Sequence, residues 1–260
     1  MTAVLRYYRT DLRRAFLSPR FLGAVLVVCL IYVVSALPEM RHDDYTVVEL
    51  FDAVNGFNSL MNVFLVASVI CYGTSFCADR QNHFDRYLTI RVSPSHYAFS
   101  RVVSCWLSTV SAVFLGCWLF VSVMRLGFPL YDASYVMEEG SVDFYMLLQD
   151  GKPLLFLQYF IMIRMFAAGM WSIAALLSST FFPSVFVTMA APLILNRLYS
   201  VVFYLLKLPF RFSIDRLTDA SVYLGSVRHG LIYTCTFFFA ITVLLAIAFF
   251  FRARRVMKNA

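Results

Sequence analysis

The chain has 260 residues, of which 61% are hydrophobic, 17% aromatic and only 14% charged. A soluble chain carries about 25% charged residues, and this apolar surplus cannot be hidden inside a globule of 260 residues, so a soluble domain is excluded and lipid is the expected solvent for much of the surface. The net charge of +7 does not indicate a nucleic-acid partner, because the basic residues are sorted by loop rather than gathered on one face.

At the start of the chain, Val4, Leu5, Tyr8, Leu12 and Phe16 fall on one helical face and Arg6, Arg9, Arg13 and Arg20 on another. Ser18-Pro19 ends this pattern. The spacing predicts an amphipathic helix over 1–20, lying on the cytoplasmic surface of a membrane. It fits a basic anchor on anionic lipid, and equally a helix that also touches a cytoplasmic partner.

Six apolar stretches follow, each near the roughly 20 residues a spanning helix needs: about 21–37, 54–77, 97–124, 154–179, 184–206 and 229–251. The first, ending at Pro38, mimics a secretory signal through Val34 and Ala36. Its 20-residue charged lead and the lack of a small-residue run after it argue for a span instead. Pro183 suits the first turn of the fifth span. The expected fold is therefore an all-α integral membrane protein with six transmembrane helices. It divides into an interface helix (1–20), a membrane domain (21–251) and a basic cytoplasmic tail (252–260).

Orientation follows from Lys and Arg. Residues 1–20, the loop 78–101 and the tail are basic, whereas the loops 38–53 and 125–153 are acidic. Both termini are thus expected in the cytoplasm, with the chain in the cell membrane. The loop 207–228 disagrees, since it must be external yet carries Lys207, Arg211, Arg216 and Arg228 against Asp215 and Asp219. The six cysteines all lie in or at the ends of apolar stretches, without a CxxC pair, and read as buried small hydrophobes rather than a disulfide framework or a metal site.

The loop 78–101 is the most informative stretch. Phe84, Tyr87 and Leu88 are spaced i, i+3, i+4 and make a short apolar face with charged flanks, among them Asp79, Arg80 and Arg91. Ser93-Pro94 reads as the N-cap and first residue of the third span. Such a helix at a membrane surface is either a stiff turn with snorkelling arginines or a lever that a soluble partner can grip.

No GxxxxGK[ST], HExxH or GxSxG motif is present, so this chain does not cradle ATP by the P-loop route. Gly73-Thr74-Ser75 has the form of an intramembrane serine motif with His229 as its base. The topology puts those two residues at opposite membrane faces, far beyond hydrogen-bond reach. His42, His83, His96 and His229 have no ligand spacing.

Asp79-Arg80, Phe84, Leu88, Ser93-Pro94, Tyr97 and Arg101, in that order, resemble the loop joining the second and third helices in the six-helix permeases of ABC exporters of the second type. That family usually has Glu before the Arg and Gly where His83 stands. The resemblance extends to size, span number, cytoplasmic termini and the basic amino-terminal helix. It implies a transport subunit rather than an enzyme. It implies a coupling helix over 79–92, involving Asp79, Arg80, Phe84, Tyr87, Leu88 and Arg91. It also implies a separate nucleotide-binding ATPase subunit that holds ATP-Mg, no cofactor on this chain, and a second permease copy or paralogue around a shared pathway. Short re-entrant helices before the sixth span are a further feature of the family, and 207–228 could supply them. The competing reading is a multi-span scaffold or immunity-type protein that binds without transporting.

Two arginines fall deep in the spans. Arg164 and Arg197 lie about 14–15 Å below the outer surface at 1.5 Å per residue, and no acid lies in any span to neutralise them. They line a pathway that meets polar or anionic substrate groups, or they bond backbone carbonyls such as those freed by Pro192. Asn55, Asn58, Ser59 and Asn62 repeat at i, i+3, i+4, i+7 and form a polar stripe that fits either a pathway wall or interhelical hydrogen bonding.

Overall fold

The computed structural model describes residues 2–41, 45–56, 58–82, 92–132, 146–222 and 225–258. Among these, all regular structure is helical. Helix α1 spans Thr2–Phe16. The Ser-Pro pair that follows ends it and opens α2 (Pro19–Ala36), with the Ser18 hydroxyl accepting from the Phe21 amide at 3.2 Å. Ser93-Pro94 opens α6 (Pro94–Met124) in the same way, Ser93 accepting from the His96 amide. In both, a hydroxyl satisfies an otherwise orphaned donor and proline sits where no donor is lost.

The expected second span, 54–77, is not one helix. The described helices here are α3 (Val47–Gly56), α4 (Asn58–Ile70) and α5 (Ser75–Gln81), with a break between Ile70 and Ser75. A capping box starts α3 inside the stretch expected to be a loop: Thr46 donates its amide and hydroxyl to Glu49 at 2.6 and 2.8 Å. The segments 62–70 and 75–81 meet at 55°. Gly73 sits in the bend, where a Cβ would lie 2.7 Å from Val69 Cγ1 and 3.0 Å from the Val69 carbonyl oxygen. A side chain there would require Val69 to shift.

After α6 come the short α7 (Met146–Gln149), then α8 (Pro153–Ser178), α9 (Val185–Leu205), a 3-10 turn at Phe210–Phe212, α10 (Ile214–Thr218) and α11 (Val227–Lys258). The fifth span begins at Val185 rather than at Pro183, whose carbonyl instead accepts from Gln81 Nε2 at 2.9 Å. Helices α2, α6, α8, α9 and α11 are long and apolar enough to cross a membrane, and the bent pair makes a sixth crossing if it counts as one span. The chain is thus a multi-pass membrane protein.

Helix α8 forms the axis, with 78% of its most apolar stretch buried, against 22% for α9 and for α11 at the periphery. Helices α1 and α2 run alongside α6 in a constant register. Tyr8 bonds His96, Ser100 bonds Asp11, Gly116 meets Val28 and the Tyr32 ring meets Phe120, each pair 88 or 89 residues apart in sequence. Both helices therefore climb α6 in the same direction, residue for residue. The packed side of α1 carries more than the expected apolar residues: Asp11 and Ala15 are buried beside half-buried Tyr8, Leu12 and Phe16, whereas Arg6, Arg9 and Arg13 are exposed and Leu5 is 71% exposed. Asp11 has charged and hydroxyl partners on α6, and they decide which face turns inward.

Candidate functional site

At the end of the bundle where the chain begins, α1, the bend between α4 and α5, and the start of α6 share a buried polar clasp. The i, i+3, i+4 spacing of Tyr97, Ser100 and Arg101 sets all three on one face of α6. Arg101, only 2% exposed, pairs with Asp11 of α1 at 3.2 Å and with Asp79 of α5. It also donates to the Tyr72 hydroxyl in the bend and lies 5.0 Å from the ring centres of both Tyr72 and Tyr97. Tyr72 donates to Asp11 at 2.5 Å, Ser100 donates to the other Asp11 oxygen at 2.7 Å, and Tyr97 donates to Asp79 at 2.8 Å. Burial of the neighbouring Tyr7 raises its phenol pKa well above the ordinary range, with Arg101 pulling the other way. Buried charges persist only when paired and hydrogen-bonded, and here one guanidinium is the common partner of three elements.

At the other end, the segment after α9 turns back into the bundle. Ile214 and Leu217 of α10 are buried against it, and Asp219 reaches Arg164 of α8 at 3.5 Å. Burial raises the Asp219 carboxyl pKa above the usual aspartate range, while Arg164 opposes that shift. Asp215 accepts from Asn196 Nδ2 at 3.1 Å and from the Ser200 hydroxyl at 3.0 Å. Between α4, α8, α9 and this segment lies a cavity of about 380 Å³. Its wall includes Asn62, Leu65, Trp171, Asn196, Arg197 and Ser200, and it is completed by Tyr204, Asp215, Thr218 and Asp219. Arg164 is 1% exposed, whereas Arg197 is exposed. An arginine at this depth costs at least about 2.5 kcal/mol on insertion scales, so it faces protein or water rather than acyl chains.

Of the residues singled out in the sequence, Asp79 lies in the clasp, and Arg80 lies half-buried beside it on α5. Phe84, Tyr87, Leu88 and Arg91 lie outside the described residues, as do the side chains of Asn55 and Asn58. Asn62 and Arg197 come together at the cavity. Arg164 finds its ion-pair partner outside the spans, in Asp219, which a search for acids within the spans could not reveal. The bend at Gly73-Thr74-Ser75 and His229 are at opposite ends of the bundle. Gln81 meets Pro183 and Arg252 stacks on Phe181 at one end, whereas the His229 ring bonds Ser226 at the start of α11.

Sequence reasoning missed Asp11, Tyr72, Ser100 and Arg101 as a unit. The available signal was a single acid in an otherwise basic helix, together with the polar face at the start of α6. Asp215 and Asp219 were visible only as charges in an anomalous loop. No family, curated protein or solved structure matches the chain.

Proposed function

We propose that this chain is the membrane-spanning permease subunit of an ATP-driven exporter, working with a separate ATPase that holds ATP-Mg and with a second permease copy or paralogue. The clasp is the observation that favours this reading. It ties both roots of the connection between α5 and α6 to each other, through Asp79 and Arg101, and to α1 through Asp11. A soluble motor that gripped Phe84, Tyr87 and Leu88 would move the bent second span, the third span and the amino-terminal helix together. The resemblance of 79–101 to the coupling loop of second-type ABC exporter permeases supports the same assignment. The basic residues of that end orient it to the cytoplasm of a cell membrane. Exposed Leu5 and Leu17 suit contact with lipid at that surface.

The cavity on the other side of the molecule supplies a polar stretch of pathway, which an ATPase stroke would open outward. Two experiments test the reading. Purification from native membranes in mild detergent should recover an ATPase chain, and the triple substitution Phe84→Ser, Tyr87→Ser, Leu88→Ser should lose it. A cysteine placed at Gln81 should resist a membrane-impermeant thiol reagent in intact cells. Its labelling there, or recovery of the chain with no ATPase, would overturn the export reading in favour of a non-transporting scaffold.

A further inference from the structure

We infer that the cavity beside Arg197 binds an amphiphile with a zwitterionic head, its phosphate or carboxylate on Arg197 and its ammonium on Asp215. Arg197 has no anionic partner among the described residues. Among the described residues, Asp215 receives only the neutral donors of Asn196 and Ser200. The other acid on the wall, Asp219, is taken by Arg164. The cavity therefore presents one cation and one anion, neither neutralised by an opposite charge, within one space of about 380 Å³. That volume falls in the range of small-ligand sites.

Asn196 adds an independent sign of a polar ligand site. It is 8% exposed, its amide nitrogen is committed to Asp215, and its Oδ1 is buried with no donor among the described residues. Buried acceptors are ordinarily satisfied. Arg197 lies about 12 Å along α9 from Leu205 and about 18 Å from Val185, so it is rooted near the middle of that helix. Leu65, Trp171 and Tyr204 give the same space an apolar side for a chain. A purely anionic ligand would meet Asp215 as a like charge and a purely cationic one would meet Arg197, so a head carrying both poles is favoured over either.

This inference deepens the export reading by giving the pathway a ligand class. Its test contains no ATPase. A failed titration therefore leaves the partner experiment standing, and a missing ATPase leaves the titration standing.

The chain has three tryptophans, so Trp106→Phe with Trp118→Phe leaves Trp171 as sole reporter in the cavity wall. The full chain, in a non-ionic maltoside detergent, is titrated with dihexanoyl phosphatidylethanolamine and separately with dihexanoyl phosphatidic acid. The expected result is a saturable change in Trp171 fluorescence, tighter for the zwitterion. Arg197→Gln and Asp215→Asn should each weaken zwitterion binding by about tenfold or more, and Arg197→Lys should restore most of the loss. Asp215→Asn should also narrow the preference over phosphatidic acid. If Asp215→Asn does not fold, the Arg197 pair of variants carries the test alone. Equal affinity for the two lipids, no saturable change, or an unaltered titration in Arg197→Gln would overturn the inference.

Discussion

Asp79 and Arg101 stand at the two ends of the α5–α6 connection, and their side chains meet in a site from which water is largely excluded. The guanidinium also serves Asp11, so removing it strands two carboxylates. Breaking a buried ion network by deleting one partner costs about 3–5 kcal/mol, whereas replacing the whole network by apolar groups can be close to neutral. Arg101→Met should therefore lower the thermal midpoint in detergent sharply. The triple variant Asp11→Leu, Asp79→Leu, Arg101→Met should recover much of the loss. An Arg101→Met protein as stable as the parent would show that the clasp contributes nothing to holding α1 in place.

Close approach of α2 to α6 depends on Gly116. A Cβ there would lie 2.7 Å from Val28 Cβ and 2.9 Å from the Val25 carbonyl oxygen. Backbone cannot yield as a side chain can, so Gly116→Leu should cost at least the ~1–3 kcal/mol typical of overpacking. Gly127, with open space around it, is the control. Gly127→Leu should leave the unfolding midpoint within about 0.5 kcal/mol of the parent.

The start of α3 rests on Thr46 and Glu49. Thr46→Ala should destabilise by about 1 kcal/mol. The loss should appear as faster amide exchange confined to the first turns of α3, with α8 unchanged. Uniform acceleration across the bundle would mean that α3 is not a separately capped unit.

The Asp219 carboxyl is held above its ordinary 3.8 by burial, despite Arg164. An acid whose folded pKa exceeds its unfolded one contributes stability that is complete below the unfolded value and is lost as pH rises through the folded value. Measured against Asp219→Asn, which cannot ionise, the parent should lose ground as pH climbs from below 3.8, then level off. A parent that gains on the variant over the same interval would mean that the pairing with Arg164 outweighs desolvation.

Much of the architecture was legible because it rests on local rules. Ser18-Pro19 and Ser93-Pro94 declare helix starts through capping chemistry, and the apolar runs declare the spans. The bend at Gly73 is visible in the sequence only as a glycine in an apolar run, because glycine four residues after Val69 marks close local packing without declaring that the chain turns there. The clasp was illegible for a stronger reason. Asp11, Asp79 and Arg101 lie in three basic or mixed segments where charge is expected to face water. Nothing in their spacing says that they share one buried point. Arg164 stands out in the sequence as a charge deep in a span, but its partner comes from a loop that hydropathy assigns outside the membrane.

The residue-for-residue ascent of α1 and α2 along α6 has a mechanical corollary. A tie-rod that matches its neighbour over the whole run, from Tyr8 at His96 to Tyr32 at Phe120, spans about 36 Å of α6 and cannot slip without unseating every contact at once. A shove at its base would arrive at the far tip with no gearing. Any slack would have to be taken up where α4 and α5 meet at an angle, beside Gly73.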